Sequence, residues 1–539
     1  MKVVGSVVQT DQSYSIPGRS IYDSLHLHRD ILNYTDTEKK QLAIISLDLE
    51  SAFDNIYHRY LFHVLDKTNF PAHFKNVIIE LYTEAKSFVR VRHLLTSPIK
   101  VEKGIRQGCP LSGPLFSLAL EPLLGLIRNK IGGFLLPPAR QEKVTIAAYA
   151  DDISIFITEN KDFETVGHCL EIFTRESGAK INFSKSKGLW CGKWEHRKDT
   201  PLECTWTSHS LKVLGVTLSP KETGSNTITE EDLKQKVRNA LDKWKFRASA
   251  LSLRGRIRIV NAFIAPKMWH TLQILAIKDQ ALEEIQNMLI DFAWRNRKHW
   301  TDKKTLTLPI WQGGMGMVNI RTKVNMFRVF TVLKYFNSYG AHWTKMIDYN
   351  FIKSNNSDLS WQYLYCKPSN SGTSVYTKSL IKSWNTVPLM LKNFPSCQHD
   401  LNMLPLCDCQ LWPQTAKNLI NNDIWYKCGL NNIGDCTTGT KWKVKEELLK
   451  RYVTPRVKQN MFSMYEDLKE LVGATFPDVV GVVGAGKWPP EIYFERETGK
   501  KITLNSKTRR LLYEMQLNEG SGKTEKLKRE LGRKGNMLE

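Results

Sequence analysis

The sequence predicts an α+β fold over its first 195 residues, followed by a mainly helical, basic region. Three observations lead there. Helix-like and strand-like periods interleave up to about residue 195 without regular βαβ repetition. From about 200 to 300, apolar positions recur at helical spacing with Lys and Arg between them. A chain of 539 residues also exceeds one ordinary core, so about two to four domains are expected.

Each element has its own signal. SIYDSLHLHRDILNY is an amphipathic helix, and QLAIISLDLESAF opens as a strand. YLFHVLDKTNF and FKNVIIELYTEAK read as helices, and SFVRVR and SPIKVEKGI as short strands. PLFSLALEPLLGLIRNKI is a strongly apolar helix. VTIAAYADDISIFI follows as a β-hairpin whose turn carries Asp151 and Asp152. DFETVGHCLEIFTRESG is an amphipathic helix that Gly178 stops. LKQKVRNALDKWKFRASALSLRGRIRIVNAFIAPKMWHTLQIL is helical and basic. LTLPIWQGGMGMVNI reads as a Gly-rich turn between short strands or extended pieces. Residues 320–470 read as further helices rich in Trp and Tyr, and the chain from Lys500 as a basic tail. No internal repeat is found.

A formal net charge of +23 favours a polyanionic partner, of which nucleic acid is the commonest. Ten scattered cysteines do not make a disulfide scaffold. They suit an intracellular protein, nuclear or cytoplasmic, with reduced thiols. The cluster Cys397, His399, Cys407 and Cys409 matches no standard zinc spacing. The N-terminus has too short an apolar stretch for a signal peptide. No run of about 18 apolar residues offers a membrane span.

AYADDISIF puts two carboxylates side by side in a β-prone run. Asp-Asp forgoes the glycine that tight hairpins favour and adds like-charge repulsion. Upstream, LAIISLDLESAFDN places Ile44, Ser46 and Asp48 on one strand face. If this strand pairs beside the hairpin, Asp48 meets Asp151 and Asp152. Three such carboxylates repel one another, and Mg²⁺, which takes oxygen ligands, relieves the repulsion. Two ions can clamp the attacking and leaving oxygens of phosphoryl transfer. The competing reading is a solvated turn with a helix-capping acid. Between the clusters, KGIRQGCPLSGPLF sets Gln107 and Gly108 on a tight turn. Gly108 would let a base or sugar approach the backbone. Read alone, the segment is an ordinary loop whose prolines start a helix.

In this order, LDLESAFDN, IRQGCPLSGPLF and AYADD resemble motifs A, B and C of reverse transcriptases. The wording is that of non-long-terminal-repeat, LINE-1-like retrotransposons, most like their Tx1-type branch. TDQSYSIPGRSIYDSL resembles the segment before motif A, SGAKINFSKSKGLW motif D, and LKVLGVTL motif E. LSLRGRIRIVNAFIAPKMWH and LPIWQGGMGMVNI resemble the thumb and connecting region. The resemblance implies a right-hand polymerase palm, an antiparallel sheet with packed helices, then a helical thumb. It implies RNA-directed DNA synthesis from an RNA template, a DNA primer and deoxynucleoside triphosphates. It also implies two Mg²⁺ ions, with Mn²⁺ as an alternative. Asp48, Asp151 and Asp152 match the metal triad, and Leu49 would offer its backbone carbonyl. Phe53, five residues after Asp48, matches the ring that packs under the incoming sugar. Gln107 and Gly108 would line the nucleotide and template pocket. Lys185 matches the motif D lysine that protonates or neutralises pyrophosphate. Arg19 and Arg106 would meet template phosphate. Arg254, Arg256 and Arg258 would hold the primer–template duplex, with Trp244 and Trp269 as core residues.

The chain departs from that pattern at its start. It lacks the finger strands that carry the family's first two motifs, and an upstream endonuclease. This implies an N-terminally truncated element, a partial gene model or a retained fragment, with incomplete fingers, a bare palm edge and weak extension. Two alternatives follow: an inactive relic that only binds nucleic acid, or a maturase-like RNA-binding protein. The expected domains are 1–195 palm with partial fingers, 196–300 thumb beginning at the motif E-like segment, 301–480 a helical C-terminal region, and 481–539 a basic tail.

Overall fold

The computed structural model describes residues 4–137, 142–297, 301–338, 340–355, 374–386, 397–404, 416–420, 423–449 and 452–481, with a few isolated residues and strand pairs up to Tyr513. The chain divides into two compact units, Met1–Ile228 with Gly340–Met346, and Thr229–Tyr339 with Ile347–Glu539.

In the first unit α1 (Ile21–Thr37) leads to β1 (Gln41–Leu47). Then come α2 (His58–Lys67), α3 (Ala72–Tyr82), α4 (Ser112–Lys130), β2 (Ile146–Tyr149), β3 (Asp152–Ile157), α5 (Lys161–Ser177), β4 (Lys187–Gly192) and β5 (Thr205–Thr207). They form one mixed sheet in the order β5-β4-β1-β3-β2. β1 is central and antiparallel to both neighbours, with Leu47 opposite Ile153 and Ile44 opposite Leu189. Its run LAII is apolar without alternation because both faces are covered. Ala43, Ile45 and Leu47 join the core with Leu120 of α4 and Phe173 of α5. On the other face His28 of α1 packs on Phe156, with ring centroids 5.1 Å apart. Truncating Ile45, wholly buried, should cost about 2–5 kcal/mol.

α5 ends where the sequence predicts. Gly178 takes φ +77°, and a Cβ there would sit 2.4 Å from the Tyr57 ring. Between α3 and α4, two-residue strands pair Lys86–Ser87 with Ile99–Lys100 and Arg90–Val91 with Leu94–Leu95.

Four expectations change. The hairpin turn is Ala150–Asp151, because Tyr149 pairs with Asp152, which opens β3. Of the two turn residues only Ala150 has positive φ, at +56°, the pattern of a II′ turn that normally uses glycine. The sheet edge at β2 is not bare. The Ala148 amide donates to the Asp11 carbonyl at 2.8 Å, and the Ser13 amide donates to the Ala148 carbonyl at 2.9 Å. Arg128 of α4 clamps the Asp11 carboxylate at 2.8 and 2.9 Å. The boundary expected at 195 falls inside this unit, since β5 runs parallel to β4 in the same sheet. The motif E-like residues form a hairpin there, Leu211–Val213 with Val216–Leu218.

The second unit contains most of α6 (Glu222–Lys245), with α7 (Leu253–Ile259), α8 (Pro266–Ile274), α9 (Asp279–Trp294), α10 (Ile320–Asn337) and α11 (Pro455–Thr475) among its helices. One core gathers Val237, Ile257, Met268, Leu289 and Ile320, reaching beyond residue 300, with Trp244 and Trp269 on its border. A second gathers Trp425, Cys436, Tyr465 and Leu468. The fourth change lies at LTLPIWQGGMGMVNI. It forms a short helix, Lys303–Thr307, and a 3₁₀ turn, Ile310–Gln312, rather than strands. Its amides bond locally, as Gly316 to the Leu308 carbonyl at 2.9 Å and Met317 to that of Leu306 at 2.8 Å. The tail expected from 481, with Cys407 and Cys409, lies almost wholly outside the described residues. Among the described residues no helix is long and apolar enough to cross a membrane.

Candidate active site

Asp48 follows the last residue of β1, and Asp152 is the first of β3. Leu47 faces Ile153, so the register carried one step further sets Asp48 against Asp152. Asp151 stands beside them on the exposed turn. The Asp152 carboxyl titrates above the usual range, through partial desolvation first and then the charges of Asp151 and Asp48. The three acids expected to meet therefore share one end of the sheet, where β1 stops and β3 begins. They do not make a closed cage. Among the described residues no three His, Cys, Asp or Glu side chains are gathered to hold a metal. An all-oxygen donor set with this repulsion nonetheless fits a hard divalent cation, which would relieve it.

The peptide of Asp48 is held on both sides by one loop. Its N–H donates to Ser186 Oγ at 3.1 Å, and its carbonyl accepts from the Asn182 N–H at 2.8 Å. Ser186, wholly buried, donates in turn to the Asn182 carbonyl at 2.8 Å. Lys185 sits exposed on this loop, its amide bonded to the Asn182 carbonyl at 3.2 Å. The Asn182–Asp48 bond makes the neighbouring Leu49–Ile181 pair a non-hydrogen-bonded one. The peptide groups of Leu49 therefore point away from Ile181.

Phe53 lies in the helical turn Ala52–Asn55, half-buried. One face stacks on Phe116 of α4 at 4.2 Å and 18°, and the edge of Tyr14 lies 6.4 Å away. Tyr14 also meets Tyr149 at 5.3 Å. Gly113 permits this crowding, since a Cβ there would lie 2.5 Å from Ser15 Oγ and 3.3 Å from the Tyr14 ring. Gln107 donates through Nε2 to Asp54 Oδ1 at 3.2 Å. The Ile105 amide donates to the Phe53 carbonyl at 2.6 Å, so the two motifs are pinned together. Gly108 has φ +84° and open space where a Cβ would be.

The arginines divide by what they touch. Arg19 donates to the carbonyls of Gln9, Gln12 at 2.7 Å, Val8 at 3.0 Å and Gly5 at 3.4 Å. Its guanidinium organises the N-terminal segment. Arg106, exposed, donates to the Leu81 carbonyl at 2.6 Å and lies over the Tyr82 ring. Arg254 and Arg258 are exposed one helical turn apart on α7. Arg256 is buried between them and donates to the carbonyls of Ala293, at 2.6 Å, and Leu251.

Ser186, Asn182, Asp54, Tyr14 and Phe116 belong to this neighbourhood without having stood out in the sequence. Only Asp54, six residues after Asp48, carried a local signal.

Residues 1–218 match the family described as reverse transcriptase (RNA-dependent DNA polymerase). The chain is 31% identical over 517 residues to a Transposon TX1 uncharacterized 149 kDa protein of Xenopus laevis, covering 92% of this chain and 39% of that one. It is 22% identical over 324 residues to the retrovirus-related Pol polyprotein of a type-1 R2 retrotransposable element of Nasonia vitripennis, covering 59% and 31%. The chain thus spans a third to two fifths of the length of these relatives. Telomerase of Candida tropicalis, solved with a fragment of telomeric RNA, is 12% identical with a TM-score of 0.31, covering 64% of this chain and 54% of that one. Residues 1–218 are a reverse transcriptase domain of the non-long-terminal-repeat retrotransposon kind.

Proposed function

We propose that the chain is an RNA-directed DNA polymerase whose reaction is carried by the strand ends at Asp48, Asp151 and Asp152, inside its reverse transcriptase domain. In this reading the five-stranded sheet and its helices are the palm, and α6 to α9 belong to the thumb. The observation that carries it is the pairing of β1 with β3, which brings Asp48 and Asp152 to one end of the sheet with Asp151 beside them.

Asp48, Asp151 and Asp152 would hold two divalent cations, Mg²⁺ or Mn²⁺, joined by the Leu49 carbonyl. Bound there, such ions supply charge for the primer 3′-hydroxyl and the leaving pyrophosphate. The remaining work falls to the chain. The Ser186 tether fixes the Asp48 peptide, and with it the approach of the carboxylate to the primer end. Phe53, braced by Phe116, keeps a 2′-hydroxyl out and so selects deoxynucleoside triphosphates. Gln107, held by Asp54, and the open backbone at Gly108 line the nucleotide and RNA-template pocket. Lys185, on the loop that grips Asp48, gives its proton or its charge to pyrophosphate. Arg106, Arg254 and Arg258 take phosphates of template and duplex.

The test is Mg²⁺-dependent incorporation of dTTP on poly(rA)/oligo(dT). It is run on the chain and on the chain extended upstream with a reverse transcriptase finger segment. Incorporation that Asp151→Asn abolishes is the expected result. Duplex binding without incorporation by either form would leave a nucleic-acid-binding protein that keeps the fold.

A further inference from the structure

The second unit holds a cavity of about 640 Å³ bounded by the C-terminal part of α6, the turn after it, Arg256 of α7 and the C-terminal part of α9. That is the size of a small-molecule site. Phe246, Met288 and Phe292 give it apolar walls, and Lys245, Arg256 and Arg295 give it positive charge. Asp242 is the single acid among the lining residues.

Two features, an exposed ring and unpaired cations, argue against an incidental hollow. Phe246 is 88% exposed, an aromatic ring left to solvent beside Lys245 and Arg247. Arg295 and Asn296 at the rim both take left-handed φ, +58° and +55°. This left-handed pair terminates α9, with the Asn296 amide bonded to the Asp291 carbonyl at 2.9 Å. The cations also lack acid partners. Among the described residues none of Lys245, Arg256 and Arg295 has a carboxylate in ion-pair range. Arg256 spends its donors on two backbone carbonyls, and burial together with the charges of Arg295 and Arg297 lowers its pKa. An apolar slot with unpaired cations at its mouth suits a planar group that carries a phosphate.

We propose that this cavity binds one nucleotide of single-stranded nucleic acid, its base stacked on Phe246 and Phe292 and its phosphate on Lys245 and Arg295. The class of ligand rests on the reading of the chain as a nucleic-acid enzyme; the site does not require polymerisation. The strand would be held here by stacking and charge rather than by base-edge hydrogen bonds. The site should therefore tolerate any base.

The experiment is photocrosslinking of the full chain to a 5′-phosphorylated uridine tetranucleotide with 4-thiouridine at its 5′ end, mapped by mass spectrometry. Affinity is measured in parallel by fluorescence anisotropy. Crosslinks at Phe246 or Phe292 are expected. Phe246→Ala should weaken binding about tenfold, the size of one base–aromatic stack, and Phe246→Trp should restore it. Arg295→Glu should weaken it as well. Because Phe246 is exposed, its replacement leaves the fold intact. 4-Thiouridine 5′-monophosphate alone tells a free nucleotide from a strand, and an abasic tetranucleotide tells base recognition from phosphate recognition. The proposal fails if the tetranucleotide does not bind, if it crosslinks only elsewhere, if the abasic strand competes equally, or if Phe246→Ala and Arg295→Glu leave affinity unchanged. Asp151→Asn should leave the crosslink intact, so a chain that does not polymerise can still pass, and a polymerase can still fail.

Discussion

Arg19→Lys keeps a positive charge and removes a planar fork. Resemblance gives Arg19 a template phosphate, whereas its contacts give it the carbonyls of Gly5, Val8, Gln9 and Gln12. The two jobs respond differently. A lysine can serve a phosphate as a point charge, but it cannot bridge four carbonyls. Hydrogen bonds from a charged donor contribute about 1.5–3 kcal/mol each when buried. Arg19 is only half-buried, and one of its bonds is long, so we take the loss at about 2–3 kcal/mol. The segment it organises includes Asp11 and Ser13, which bond Ala148 at the edge of β2. Exchange of the Ala148 amide should therefore accelerate in the variant. Urea unfolding of the first unit, followed through the stacked Trp190–Trp206 pair, should shift its midpoint down by roughly 1 M for an m-value of about 1–3 kcal/mol per M. The salt dependence of duplex binding should not change. The reasoning is refuted if Arg19→Lys is as stable as the parent while Arg19→Ala lowers the salt slope by about 1.

Other perturbations give separate readouts. Phe53→Val should raise ribonucleotide incorporation roughly tenfold or more and cost about 0.5–1.5 kcal/mol from the lost stack on Phe116; unchanged sugar discrimination would return Phe53 to a packing role. Glu121 of α4 is pushed up to about 7, chiefly by burial. A raised carboxyl binds its proton more tightly when folded, so its stability contribution is full below about 4.5 and is lost as pH climbs to about 7. Glu121→Gln should erase that slope, and parallel pH–stability curves for parent and variant would contradict it. Arg254→Glu with Arg258→Glu should flatten the log–log salt slope of RNA–DNA duplex binding by about 2. Arg256→Ala should instead lower stability by about 1–3 kcal/mol, by orphaning the Leu251 and Ala293 carbonyls; the opposite partition of effects would overturn the division of the three arginines.

Local pattern revealed much of the first unit. LAII and ISIFI read as strands, α4 and α5 read as helices, and Gly178 read as a stop, because period and capping are properties of neighbours in sequence. The placement of the acids was legible for the same reason, since strand period put Asp48 near a strand end and the hairpin put Asp151 and Asp152 at its tip. What failed depended on distant partners. The turn slips by one residue because the pairing with Tyr149 of β2 holds Asp152 in the strand and leaves Ala150 the strained position. β5 is three residues long, too short to show a strand period, and joins the sheet through β4. QGGMG carries turn signals, but among the described residues no strand pairs with its flanks, and its amides close on Thr305, Leu308, Pro309 and Ile310. Ser186, Asn182 and Tyr14 matter through contacts more than 100 residues away in Ser186–Asp48 and Ser117–Tyr14, which no period records. Arg256 looked like its neighbours Arg254 and Arg258, and only the helix face separates them.

The most direct test of the central claim is a count of bound Mn²⁺ by electron paramagnetic resonance. The sample is the full chain with a primer–template and a non-hydrolysable deoxynucleoside triphosphate analogue. If Asp48, Asp151 and Asp152 form one cation site, the chain should bind about two ions, as two-metal phosphoryl transfer requires. Asp48→Asn and Asp152→Asn should each remove or sharply weaken at least one. Equal Mn²⁺ binding by the parent and both variants would contradict the account.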